Sequence, residues 1–120
     1  MARYLLDTNV VIYLMNGRLA SPLPEGEYSI SIITEIELLS FSGLSAEEDK
    51  KLRNLLLVLD KIHLTDTVCA HTIQLRRKNR LKIPDAIIAA SALVHRAVLL
   101  TNDQFFASIE GLDCKTLQLK

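Results

Sequence analysis

The strongest constraint on this chain is a repeated local pattern: short apolar runs that stop abruptly at an acidic or hydroxyl residue, each followed by a helix signal. Tyr4-Leu5-Leu6 stops at Asp7, and Val98-Leu99-Leu100 stops at Thr101-Asn102-Asp103. Between them, strand-like and helix-like segments alternate, which predicts an α/β fold with a mostly parallel sheet of four to five strands between two helical layers. At 120 residues the chain has the length of one domain, read as 1–120. Hydrophobic residues make up 49% and charged residues 23%, so a packed core is available and a disordered or fibrous chain is excluded.

The segments follow from local chemistry. Asp7-Thr8-Asn9 are helix-starting residues, and the helix they open carries Val10, Val11, Tyr13, Leu14 and Met15 before stopping at Asn16-Gly17. Two prolines and a glycine between Ser21 and Gly26 mark a loop. Tyr28–Ile32 alternates as a strand does, and a helix is expected from about Ile33 to Phe41. Ser45 and Glu48 form a capping-box pattern ahead of Leu52, Leu55, Leu56 and Leu59, spaced to bury one helical stripe. Lys61–Leu64 reads as a third strand, and Thr65-Asp66-Thr67 caps a long helix. Ile83-Pro84-Asp85 opens another helix, with proline in the first turn where its missing N–H does no harm. Ala97–Leu100 is the next strand, Phe105-Phe106 a helical turn, and Lys115–Leu119 a last edge strand.

Several functions are excluded early. The apolar runs Leu55–Leu59 and Ala97–Leu100 fall far short of the ~18–20 residues that span a bilayer. The N-terminus meets Asp7 after two leucines, unlike a secretory leader. A soluble, cytoplasmic chain without a membrane partner is expected. Cys69 and Cys114 make no metal or disulfide pattern and are expected to be buried thiols, and His63, His71 and His95 lack zinc-ligand spacing. Net charge is zero, yet residues 1–60 sum to −4 and residues 61–120 to +4. The excess is local: Arg76, Arg77, Lys78, Arg80 and Lys82 are five cations in seven positions. They read either as a solvated helix end offsetting the macrodipole or as a phosphate-contacting patch.

The acids define the candidate chemistry. In an open parallel sheet, ligands bind beyond the carboxyl ends of the strands. Asp7 and Asp103 both follow strands, and Asp85 lies in the first turn of a helix. Taken singly, each is an ordinary capping or first-turn acid. Glu35 and Glu37 lie on the helix after the second strand, about 200° apart around its axis. Glu37 borders the inward face, so it is the better candidate, with Glu35 the competitor by register. Carboxylates sharing one crevice repel by about 4 kcal/mol per pair at ~4 Å and an effective dielectric of ~20. Such a cluster calls for a hard divalent cation, magnesium or manganese, which can activate water and steady charge on a phosphoryl group.

The segments Leu5–Asn9, Ser31–Leu38, Ile83–Ala92 and Leu99–Phe105, in this order, resemble the PIN domain family, in particular the short VapC-type toxins of type II toxin–antitoxin pairs. The resemblance implies a three-layer α/β/α fold and an endoribonuclease that cuts RNA with a metal-activated water. It assigns Asp7, Glu37, Asp85 and Asp103 to one or two Mg2+ or Mn2+ ions, with Asn9, Thr101 and Thr34 as polar supports. Ser31 would help shape the turn into the Glu37 helix. It further implies a VapB-like antitoxin, a homodimer, and RNA contact by Arg76, Arg77, Lys78, Arg80 and Lys82. The rival is a catalytically silent PIN-like module that binds RNA or protein. Phosphoryl transfer of the HAD type fits less well, because Asn9 stands where that chemistry needs a second aspartate.

Overall fold

A computed structural model describes residues 1–120. Its elements are β1 (Arg3–Leu6), α1 (Thr8–Met15), β2 (Glu27–Ser31), α2 (Ile32–Leu39), α3 (Ala46–Val58), β3 (Asp60–Ile62), α4 (Asp66–Lys78), α5 (Ile83–Val94), β4 (Val98–Leu100), a 3₁₀ helix (Gln104–Ser108) and β5 (Cys114–Lys115). The five strands form one sheet in the order β3-β2-β1-β4-β5, and every pairing is parallel. The expected α/β architecture with a parallel sheet of up to five strands is therefore the one observed. No helix is long and apolar enough to cross a membrane.

Strand alternation sends side chains to two cores. Leu5 and Leu99 pack with Val68, Leu75, Ala86 and Ile88 of α4 and α5. Leu6, Ile30 and Leu100 pack with Val10, Val11, Leu52 and Leu56 of α1 and α3. Neighbouring leucines on one strand thus serve opposite helical layers. The small side chains of α5 suit its place: Ala86 through Ala92 are all buried.

Register sets the site. Leu6 of β1 lies beside Leu100 of β4, and Leu5 lies beside Ser29 of β2. The residues that leave these three strands, Asp7, Thr101 and Ser31, therefore emerge side by side, and the Asp7 amide still bonds the Leu100 carbonyl at 3.0 Å. The sheet grows from β1 in both directions, through β2 and β3 on one side and β4 and β5 on the other. The carboxyl edge between β1 and β4 is the switch point where parallel sheets open a crevice.

Local expectations fare differently. The Ser45–Glu48 capping box forms with both reciprocal bonds. Gly17 follows the C-cap of α1 at φ 65°, a conformation easy only for glycine. The helix expected to Phe41 ends at Leu39. Leu52 and Leu56 are buried, whereas Leu55 and Leu59 are half-buried, because the helix exposes the edges of its stripe. Both cysteines are free and half-buried rather than buried.

The last strand is displaced from the expected Lys115–Leu119. Only Cys114–Lys115 pairs with β4, and Leu119 instead makes an isolated antiparallel bridge to Leu19. The Asn102 side chain explains the early stop: its Nδ2 donates to the Leu117 carbonyl at 2.9 Å and its Oδ1 accepts from the Leu117 amide at 2.7 Å. Side-chain amide bonds replace the ladder there and turn the tail toward the end of α1.

Candidate active site

Asp7 is the buried centre of the acidic crevice, 7% exposed at the N-cap of α1. One oxygen, Oδ1, accepts from the Thr8 amide at 2.8 Å, and the other, Oδ2, accepts from the Thr101 hydroxyl at 2.7 Å. Thr101 Oγ1 in turn accepts from the Asp103 amide at 3.0 Å. Asp103 caps the 3₁₀ helix, with Oδ1 accepting from the Phe105 amide at 3.2 Å. Asp7 and Asp103 are thus both helix caps, linked to one another through Thr101.

Glu37 comes from the other side of β1. Ser31 caps α2 through its hydroxyl, which accepts from the Ile33 amide at 3.2 Å, and this fixes where the helix begins. One turn on, the fully buried Thr34 sits 3.0 Å from the Thr8 hydroxyl, which donates to Glu37 Oε1 at 2.9 Å. Glu35 faces elsewhere and pairs with Lys61. Of the two glutamates, Glu37 is the one that joins the hydrogen-bonded network beside Asp7.

Asp85 completes the group electrostatically. Burial pushes its carboxyl above the usual range, and the negative charges of Asp7, Asp103 and Glu37 push it further, with Lys82 opposing. Asp7 is also raised, chiefly by burial. Its bonds from Thr101 and Thr8 pull the other way, and Asp103 and Glu37 add repulsion. Asp85 makes no side-chain hydrogen bond to the other three acids; repulsion from their charges is what links it to them.

The donor chemistry fits a hard divalent cation: oxygen ligands only, gathered where negative charge is unfavourable. No three acidic, histidine or cysteine side chains are gathered closely enough here to hold an ion by themselves. An ion here would keep part of its water shell, the usual habit of magnesium held by one or two carboxylates.

The remaining candidates divide. Thr101 and Thr34 are buried within the hydrogen-bonded network. Asn9 is exposed and takes no part in that network. Of the five cations, Lys82 is the one whose charge acts on a site carboxylate. Arg76 instead braces the α4–α5 turn, its Nε donating to the Leu81 carbonyl at 3.2 Å. Arg76 and Arg77 border a groove of about 580 Å³ along α4 and α5, with Leu64, Ile73 and Ile83. A second groove, about 370 Å³, runs from Thr8 and Glu37 along α1, α2 and α3. Sequence reasoning missed Thr8, which reads as a helix starter and nothing more. Its position beside Asp7 was visible, but its reach to Glu37 depends on the β1–β2 register.

The five-stranded parallel sheet, with Asp7 and Thr101 at the carboxyl edge of its switch point, defines a three-layer α/β fold with a candidate acidic site there. Within it, the chain belongs to the PIN domain family, whose model matches residues 4–112. It is 30% identical to Ribonuclease VapC51 of Mycobacterium tuberculosis, over 94% of this chain and 91% of that one. It is also similar to a chain in a toxin–antitoxin complex from Klebsiella pneumoniae, at 32% identity and a TM-score of 0.76, covering 91% of this chain and 94% of that chain. A chain of VapBC2 from Rickettsia felis, bound to a promoter DNA fragment, shares the fold at a TM-score of 0.82 and 24% identity, over 97% and 99% of the two chains.

Proposed function

We propose that this chain is a metal-dependent endoribonuclease of the VapC type, the toxin of a toxin–antitoxin pair. The observation that supports the reading is the hydrogen-bonded network joining Asp7, Thr8, Glu37, Thr101 and Asp103 at the sheet's switch point, with Asp85 coupled to it by charge. The ribonuclease named above supports RNA as the substrate.

Asp7, Asp103, Asp85 and Glu37 would hold one or two Mg2+ or Mn2+ ions. A bound ion of this kind supplies Lewis-acid polarisation of a phosphoryl oxygen and lowers the pKa of water. The chain's own part is to hold the acids in place. Thr101 fixes one oxygen of Asp7, leaving the carboxylate's outer lone pairs for a cation. Lys82 tempers the negative field at Asp85 and would offer its charge to an RNA phosphate. Arg76, Arg77 and Lys78 end α4 and Arg80 lies in the turn to α5, where they would meet the backbone of a longer strand.

The groove beside Glu37 is lined by Ile12, Met15, Leu38, Phe41 and Leu44, and Phe41 is 64% exposed. An apolar segment of a VapB-like antitoxin fits that surface, and the toxin–antitoxin complex that resembles this chain supports such a partner. The larger groove, with Ile73 and Ile83 about half exposed, suits a homodimer contact.

The test is cleavage of labelled total RNA by the purified full chain, with Mn2+, with Mg2+ and with EDTA, beside Asp7→Asn. Metal-dependent cleavage that Asp7→Asn abolishes is expected. RNA retention without turnover, indifferent to EDTA, would instead identify a silent binding module.

A further inference from the structure

Thr8 makes two contacts to two different acids, and proton count fixes their direction. Its backbone N–H donates to Asp7 Oδ1 at 2.8 Å. Its hydroxyl donates to Glu37 Oε1 at 2.9 Å, since an ionised carboxylate only accepts. A hydroxyl has a single proton. The 3.0 Å contact between the Thr8 and Thr34 hydroxyls therefore runs from Thr34 to Thr8. Thr34 has no accessible surface, and no buried side-chain polar atom lacks a partner. Its only route to satisfaction as a donor is this bond.

The consequence falls on Glu37, which is exposed on α2. A free glutamate explores many rotamers, and fixing one costs side-chain entropy. The Thr34–Thr8 pair removes much of that freedom before any ligand arrives. Asp7 is held by burial, by the Thr101 bond and by the Thr8 amide, none of which needs the Thr8 hydroxyl.

We propose that Thr8 is a positioning residue that sets the gap between Asp7 and Glu37, holding the first with its amide and the second with a hydroxyl aimed by Thr34. The inference rests on the reading of these acids as a cation site. Magnesium demands near-octahedral geometry, so a carboxylate that wanders binds it poorly. The two contacts are separable. Any side chain except proline keeps the amide bond to Asp7, but only a hydroxyl reaches Glu37 in this way.

Thr8→Val keeps volume and amide while deleting the hydroxyl, and it orphans the Thr34 hydroxyl in the core. That variant loses stability as well as Glu37 control. Thr8→Val combined with Thr34→Val deletes both hydroxyls and leaves nothing buried without a partner. Thr8→Ser retains the donor.

The experiment is Mn2+ titration of the metal-stripped full chain by calorimetry, with the melting temperature measured in EDTA. Native chain and Asp7→Asn serve as references. Thr8→Val should bind Mn2+ about 10- to 100-fold more weakly than native, the usual effect of losing a group that orients a ligand. The double variant should recover most of the melting temperature and none of the affinity. Thr8→Ser should recover most of the affinity. A double variant with native Mn2+ affinity overturns the assignment of Thr8 while the cation site stands. A native chain that binds Mn2+ no better than Asp7→Asn overturns the cation site, and the assignment with it.

Discussion

Replacing Thr101 by valine isolates the bond on which the buried acid depends. Thr101 is 2% exposed and Asp7 7% exposed, and the 2.7 Å bond between them is the one side-chain hydrogen bond that Asp7 accepts. Valine has nearly the same volume, so the cost is that of the lost hydroxyl and not of a cavity. A hydrogen bond to a charged group contributes about 1.5–3 kcal/mol. The Asp103 amide also loses its acceptor, but Asp103 is exposed and water replaces much of that bond. The expected loss is therefore about 2–3 kcal/mol in the metal-free chain near neutral pH. For 120 residues the unfolding entropy is about 0.25 kcal/mol per kelvin, which converts the loss into a fall in melting temperature of about 8–12 °C. Calorimetry in EDTA with urea titration measures both. The bond also lowers the Asp7 pKa, so its loss raises that pKa further. An acid with a folded pKa above its unfolded value loses stability as pH rises between the two. The deficit of the valine variant must therefore shrink as pH falls through the Asp7 titration. Thr101→Ser should keep most of the stability. A valine variant within 0.5 kcal/mol of native, roughly the range of neutral surface changes, or a serine variant as damaged as valine, would refute the reasoning.

Asp85→Asn should stabilise the metal-free chain near neutral pH. Its carboxyl is raised above 3.8, so ionisation costs stability at higher pH, and the advantage of the amide should vanish once acid protonates both states; a pH series of melting temperatures checks this. Glu37→Ala should cut RNA cleavage by about 10- to 100-fold while Glu35→Ala leaves it within a few-fold, because Glu35 serves Lys61; comparing initial cleavage rates decides it. Arg96 has φ 52° just past α5, so Arg96→Gly should raise stability by about 1 kcal/mol, seen as a shifted urea midpoint with unchanged slope. Asn102→Ala should release the tail, read as faster hydrogen exchange at residues 114–119 with the Asp7 network still protected.

The cases in which sequence and structure agree share one trait: the partners lie within a few residues. Ser45 and Glu48 cap the same helix turn, and Asp7 caps the helix it precedes. The cases that differ depend on distant partners. The final strand stops early because Asn102 grips Leu117, fifteen positions away. Arg76, read with its neighbours as one basic patch, is partly spent on the Leu81 carbonyl. Thr8 looked like a helix starter until β1 and β2 placed it against Thr34, twenty-six positions on.

By itself, the order of residues determined the alternation of strands and helices, the two-faced apolar pattern and the candidate acids. Each of these is written in periodicity and capping chemistry that a short stretch of backbone can carry. Tertiary structure alone decided which side chains bond one another across the strands. Parallel register brings Asp7, Thr101 and Ser31 out of three strands side by side, and the pitch of α2 then gives Glu37 to the crevice and Glu35 to Lys61. Parallel strands pair only through long crossovers, so the relative placement of their ends is a property of the packed sheet and not of any one segment.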